Sequence, residues 1–366
     1  MEIFLPIINF ELGLYTSLFL SLIVGVLCGL FGIGGGFFLT PILIFLGIPA
    51  SFAVPNVANS ILGISVSGAV THWYKKTMDY KMGFFIVIGG LFGTILGLFL
   101  FKLLKEVGNL NEVIALTYMY LLTILGTLIF VQGIKEINNI KKNIVVFKKI
   151  HFHFWIHGLP FRTRFKKSKL YISALAPIIL GFLVGVIAAI LGIGGAFLMV
   201  PALIYIFSMP TKLVPGTSLF VTVFITIFVV AGHALEFGSI DITLVTILLL
   251  GSLFGLHIGI KISENLNASE YKTLLAILLI AVGILIGIET FVFDIFDKAA
   301  NLSSTIINPA ANNSINLFIK NQSINSPLLY SLSCILIVCF MGYAFSYIRK
   351  IARDYIDTKK AKRTNQ

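Results

Sequence analysis

Two stretches of the chain carry glycines where an apolar helix ought to continue: GLFGIGGGFFLTP at residues 29–41 and AILGIGGAFLMVP at residues 189–201. Adjacent glycines let the backbone leave helical geometry without a side-chain clash, so one helix can stop there and another begin. The first N–H groups of the new helix have no partner within it, and its macrodipole adds roughly half a positive charge. Such an end favours an anion. Gly34, Gly35, Gly36 and Phe37 are therefore candidate substrate-binding residues at the first break, and Gly194, Gly195 and Ala196 at the second, where alanine replaces the third glycine. Asn59, Ser60, Thr217 and Ser218 each follow a Pro-containing turn and could hydrogen-bond substrate oxygens. The alternative for the hydroxyls is a bond to their own helix backbone. His233 is the candidate for proton coupling, because histidine titrates near neutrality. Like His72 and His257 it lies near the end of an apolar span, where an amphipathic ring also rests at a membrane interface.

The elements that must position these groups are membrane helices. The chain has 366 residues, 58% hydrophobic and 11% charged. With a mean hydropathy of +1.00 it is more apolar than a water-soluble core can bury, so it reads as an all-α polytopic membrane protein. No Lys or Arg precedes Lys75, so the first apolar stretch lacks the basic flank of a signal peptide and is expected to remain as a span. The apolar segments 36–46 and 196–207 are too short to cross ~30 Å of hydrocarbon, and each directly follows a glycine cluster. Cys28, Cys334 and Cys339 sit in apolar runs without histidine or carboxylate at ligand spacing, so no metal, redox centre or cofactor is expected. The acidic residues lie at span ends or in loops, which leaves an enzyme without a carboxylate pair at depth.

Charge gives the expected topology. Residues 134–170 hold ten Lys or Arg against one acid, Glu136, and residues 349–366 hold seven against Asp354 and Asp357. Both are expected on the cytoplasmic side, with the loop carrying Lys75, Lys76 and Lys81. Working forward from Tyr171, the tail is cytoplasmic only if the broken pair 171–207 begins and ends on one side, as two passes or a re-entrant hairpin, which gives each repeat an odd number of crossings and makes the second half inverted relative to the first. The basic loop and tail attract anionic lipid, so the overall charge of +12 calls for no nucleic acid.

The two halves are repeats. At offset 160, Gly25 matches Gly185, Gly32 to Gly35 match Gly192 to Gly195, Pro41 matches Pro201, and Val54 with Pro55 matches Val214 with Pro215. At offset 162, Leu91 to Gly93 match Leu253 to Gly255, and Gly97 matches Gly259. Inverted repeats with interrupted helices at corresponding positions point to a transporter with its site between the repeats. The expected organisation is a first transmembrane repeat (12–133), a basic cytoplasmic loop (134–170), a second repeat (171–292), a polar external linker (293–327), an additional helix (328–348) and a basic tail (349–366). Each repeat has about five helical segments. Glycine pairs such as Gly25 and Gly29, Gly93 and Gly97, Gly181 and Gly185, Gly251 and Gly255, and Gly283 and Gly287 suit close helix packing instead.

Gly-Ile-Gly-Gly-Gly with Pro41, Gly-Ile-Gly-Gly-Ala with Pro201, and Pro215-Gly216-Thr217-Ser218 together resemble the repeated motifs of the TauE/SafE sulfite exporter family, also called the TSUP family. The resemblance covers about residues 14–292. It implies a bacterial inner-membrane transporter of small sulfur-containing or organic anions, such as sulfite or a sulfonate. In the first repeat Ala58-Asn59-Ser60 stands where the second has its Thr-Ser pair, a departure that bears on the substrate. A passive anion channel would use the same helix-end donors, and differs in lacking saturation and coupling.

Overall fold

The computed structural model describes residues 2–5, 7–8, 10–32, 35–108, 110–141, 160–263, 268–288, 332–344 and 346–347. The expected external linker, the tail beyond residue 347 and Gly34 lie outside them. The first half holds strands β1 (Glu2–Leu5) and β2 (Phe10–Gly13), then helices α1 (Leu14–Phe31), α2 (Gly36–Phe45), α3 (Ala50–Tyr74), α4 (Tyr80–Val107) and α5 (Leu110–Lys141). The second holds β3 (Arg162–Phe165) and β4 (Leu170–Ser173), then α6 (Leu175–Leu191), α7 (Ala196–Tyr205), α8 (Val214–Phe237), α9 (Ile242–Ser263) and α10 (Ala268–Ile288). A further apolar helix, α11, spans Leu332–Ala344. Six of these helices are long and apolar enough to cross a membrane, so the chain is a polytopic all-α membrane protein. Helix α5 continues past residue 133 into the basic loop as far as Lys141.

The duplication reaches further than the sequence signal. Hairpin β1–β2 pairs Glu2 with Gly13 and Leu5 with Phe10, and hairpin β3–β4 pairs Arg162 with Ser173 and Phe165 with Leu170, every position shifted by 160. Each hairpin tip is held by a buried aspartate from the opposite half. The Ile7 N–H donates to Asp241 (3.0 Å), and the Ser168 N–H and hydroxyl donate to Asp79 (3.1 and 2.6 Å). Both carboxylates also cap a helix start: Asp79 accepts from the Met82 N–H at the head of α4, and Asp241 from the Thr243 and Leu244 N–H groups at the head of α9. Their own N–H groups donate to side chains near the starts of α8 and α3, Thr217 Oγ1 for Asp79 (2.9 Å) and Asn56 Oδ1 for Asp241 (2.6 Å).

These bonds fix the path of the broken pairs. Helix α1 follows the hairpin tied to Asp241, and the second turn of α3 is tied to that same residue, so the chain enters and leaves α1–α2 at one end of the bundle. Helices α6–α7 do the same at the Asp79 end.

The tightest helix pairs join one half to the other: α1 with α9, α4 with α6, and α5 with α10. A Cβ on Gly29 would land on the Leu256 carbonyl and one on Gly255 on the Leu22 carbonyl, so α1 and α9 run parallel with backbones in contact. Gly89 and Gly93 face Ile178 and Phe182 in the same way on the α4–α6 seam. The contacts of Gly68 with Leu219 and of Gly216 with His72 make α3 and α8 antiparallel, and those of Gly126 with Ile280 and Gly287 with Met119 do the same for α5 and α10. A methyl group at Gly29 meets backbone that cannot rotate away, whereas one at Gly287 meets the flexible Met119 side chain at 3.1 Å. Gly29→Ala is expected to destabilise by about 1–3 kcal/mol or more, and Gly287→Ala by clearly less, as measured by thermal unfolding in detergent.

Candidate functional site

At the first break α1 ends on Gly32 (φ +66°), whose N–H bonds the Cys28 carbonyl, and α2 begins at Gly36 after Gly35 (φ +72°). At the second, α6 ends on Gly192 (φ +70°), Gly194 and Gly195 follow at +68° and +73°, and α7 begins at Ala196. These left-handed values are the reason for glycine at the turns. The carbonyl of Gly35 accepts from the Phe38 and Leu39 N–H groups, and that of Gly195 from Leu198 and Met199. No side chain caps either helix start, which leaves the first N–H groups of α2 and α7 without a side-chain acceptor. Pro41 and Pro201 lie in the second turn of these helices and donate no N–H to the carbonyls of Phe37 and Phe197.

The two starts touch. The place a Cβ would take on Gly36 is 2.9 Å from Ile193 Cα and 3.1 Å from the Gly192 carbonyl. Phe37 and Phe197, related by the repeat offset, stack at a centroid distance of 6.4 Å and an interplanar angle of 24°. Braces cross between the halves as well. Ser218 donates to the Gly32 carbonyl (2.7 Å), Tyr118 to the Leu191 carbonyl (2.9 Å) and Thr40 to the same oxygen at 3.4 Å. Gly32 lies against Pro215 and Gly192 against Val54, where neither has room for a side chain.

The other expected site residues fall into three groups. Asn59 is fully buried, and neither its Oδ1 nor its Nδ2 has a hydrogen-bond partner. An amide left so would lose about 1–3 kcal/mol or more. Ser60 donates to the Asn56 carbonyl (3.1 Å) and lies 3.5 Å from that of Val245. The Thr217 hydroxyl is committed twice, accepting from Asp79 and donating to the Leu213 carbonyl (2.8 Å), so it braces the loop before α4.

His233 stands apart from these, near the far end of α8. Its Nε2 is 2.9 Å from the Ala189 carbonyl, one turn before the second break, and a carbonyl can only accept, so Nε2 carries the proton. Nδ1 has no partner, and the Phe101 ring stands edge-on at 4.5 Å. His257 is buried and bonds Ser67 (3.2 Å), which bonds Ser346 beyond α11 (3.0 Å). Among the described residues there is no cluster of three or more His, Cys, Asp or Glu that could hold a metal.

Several participants were not singled out from the sequence. Thr222 and Thr226 lie against Gly194, and their position one and two turns beyond Ser218 on α8 was a usable signal. Tyr118 carried none, being one tyrosine among the aromatics of α5.

Comparison with known proteins finds membrane transporters. The family model described as "Sulfite exporter TauE/SafE" matches residues 17–286. The chain is 28% identical over 272 residues to "Probable membrane transporter protein YjnA" of Bacillus subtilis, covering 74% of this chain and 98% of that protein. It is also 28% identical over 273 residues to "Probable membrane transporter protein YunE" of the same bacterium, covering 72% and 93%. A third relative, "Probable membrane transporter protein MJ0441" of Methanocaldococcus jannaschii, is 31% identical over 135 residues, 36% of this chain and 51% of that one. No solved structure matches. With its paired glycine breaks inside the matched region, this multi-pass membrane protein belongs to the TauE/SafE sulfite exporter family.

Proposed function

We propose that the protein is a secondary carrier that moves a small anion, sulfur-containing or organic such as sulfite or a sulfonate, across the bacterial inner membrane by alternating access. The observation that carries this reading is the meeting of two glycine-capped helix starts, neither closed by a side chain, inside a bundle where Asn59 holds an unpaired amide. The substrate contacts are the N–H groups at Gly34, Gly35, Gly36 and Phe37 and at Gly194, Gly195 and Ala196, the Asn59 amide and the hydroxyls of Ser60 and Ser218, each of which must leave its present carbonyl partner to donate to the anion. Thr217 serves the site by holding the loop before α4. Burial of the described residues at both breaks favours a carrier over an open channel, since a passive pore needs a continuous water path. In purified liposomes loaded with sulfur oxyanions and carboxylates, saturable counterflow of at least one anion is expected. Movement of none removes the reading.

The repeats are inverted across the membrane in this proposal. Its support is that α3 and α8 run antiparallel and that the two hairpins are tied to opposite ends of the bundle. Hairpin β3–β4 with its turn carries Arg162, Arg164, Lys166, Lys167 and Lys169, while β1–β2 carries Glu2 and Glu11, a charge difference that supports a cytoplasmic side for the former, beside anionic lipid. A cysteine at exposed Lys166 is expected to label only from inside and one at exposed Val107 only from outside. The opposite pattern would overturn the orientation.

His233 is the proposed coupling group, because its ring is tied through Nε2 to the Ala189 carbonyl one turn before the second break and keeps a buried, unpartnered Nδ1. His233→Gln is expected to keep counterflow and lose stimulation by a pH gradient. Equal stimulation in the variant would exclude it.

A further inference from the structure

We propose that Ser65 contacts the substrate, adding a hydroxyl from α3 to the two helix starts; this rests on the anion-carrier reading above. Ser65 is fully buried, and its hydroxyl has no hydrogen-bond partner. That sets it apart from the neighbouring hydroxyls of α3 and α8. Ser60, Thr71, Thr217, Thr222 and Thr226 on α3 and α8 all donate to the carbonyl four residues earlier, the ordinary way for a hydroxyl to satisfy itself inside a membrane helix. Ser65 does not, so both its proton and its lone pairs are uncommitted.

Its place on the helix says what it serves. Ile61, Ser65 and Gly68 fall on one stripe of α3, at spacings of four and three residues. Ile61 lies against both breaks: its side chain touches the position a Cβ would take on Gly36 and comes within 2.9 Å of the corresponding position on Gly194. Gly68 packs on Leu219 of α8, with 2.7 Å from its would-be Cβ to the leucine Cδ1. Ser65 lies between these contacts, one turn from the residue that bridges the two helix starts. In the antiparallel register set by Gly68 with Leu219, it stands level with Thr222, whose methyl group meets Gly194 at 2.8 Å. The repeat counterpart of Ser65 is Ile225, so this donor exists in one half only. Ser65 therefore adds to the first half's side of the site a donor that the second half does not match, an arrangement suited to an anion whose oxygens differ in their surroundings, such as a sulfonate or carboxylate on an organic body, over a spherical halide.

The test uses the full chain in liposomes. Ser65→Ala is expected to raise the KM of the carried oxyanion about tenfold, the loss of one hydrogen bond to a charged group, with folded protein per membrane unchanged. Ser65→Thr is expected to restore most of the affinity. In a background with Cys28, Cys334 and Cys339 replaced by Ala, Ser65→Cys is expected to react with the anionic reagent 2-sulfonatoethyl methanethiosulfonate and to be protected by the carried anion. If the wild type carries an anion while Ser65→Ala keeps the wild-type KM and Ser65→Cys stays unlabelled, Ser65 is core packing and only this inference falls. If the wild type carries no anion, the carrier reading falls first and takes this inference with it.

Discussion

Valine at Gly35 or at Gly195 is expected to reduce the transport rate per folded molecule to below about a hundredth of wild type, because a β-branched residue is a genuine outlier in the left-handed region both positions occupy. Gly35 holds φ +72° and Gly195 φ +73°, each as the residue just before a helix start. Restoring an ordinary φ there would rotate the peptide that presents the first N–H groups of α2 or α7. Space adds a second, unequal obstacle. A Cβ on Gly195 would fall on the Val184 side chain, while one on Gly35 would stand 3.0 Å from Val24 Cγ1 and 3.3 Å from Cys28 Cβ. Alanine at Gly35 then meets mostly the conformational penalty of about 1–2 kcal/mol, and alanine at Gly195 meets more. The order of activity is wild type, Gly35→Ala, Gly195→Ala, then the two valine variants. Because Gly36 touches Ile193 and Phe37 stacks on Phe197, one damaged break disturbs the other, and an intact second motif is expected to give no rescue. The measurement is initial counterflow rate divided by folded protein. Wild-type rates in both valine variants would reduce the motifs to packing.

The breaks were legible because glycine and proline act locally: a run of adjacent glycines with a proline six residues on has the same backbone meaning in any surroundings. The short helices at Gly36–Phe45 and Ala196–Tyr205 follow from that alone. The paired glycines announced close packing, and the structure finds backbone against nearly all of them, but their partners lie across the halves, Gly25 on Ser252 and Gly181 on Ile86, which spacing cannot specify. The hairpins escaped notice for another reason. Four-residue strands such as EIFL and RTRF carry little periodic signal, and they exist because a buried aspartate elsewhere receives their tips. Asp79 and Asp241, in turn, look like solvated loop residues until the fold closes over them.

Those two aspartates support the last prediction, that Asp79→Ala and Asp241→Ala each loosen one end of the bundle without touching the breaks. At Asp79 the change leaves the Met82 N–H, the Ser168 N–H and the Ser168 hydroxyl without their acceptor, and at Asp241 it strands the N–H groups of Ile7, Thr243 and Leu244. Each donor left buried and unpaired destabilises by about 1–3 kcal/mol, so either variant stands among the most damaging single changes outside the glycine seams. The consequences differ at the two ends. Freed from Asp79, the turn of hairpin β3–β4, with its exposed Lys166, Lys167 and Lys169, opens into an extended chain more readily, and trypsin is expected to cut there faster in Asp79→Ala than in wild type. At the other end, burial pushes the Asp241 carboxyl up, against the opposing pull of the N–H donors from Ile7, Leu244 and Thr243. A carboxyl raised in the folded state binds its proton more tightly there than when unfolded, so its linked stability is full below the ordinary carboxylate range and is lost as pH rises through the folded value. Asp241→Asn keeps an acceptor for the head of α9 but cannot titrate, and its unfolding temperature is expected to vary less with pH above about 4 than that of the wild type. Identical pH profiles for the two proteins would mean that the fold does not raise the Asp241 carboxyl, and unchanged tryptic cleavage in Asp79→Ala would mean that hairpin β3–β4 is held by its strands and not by that carboxylate.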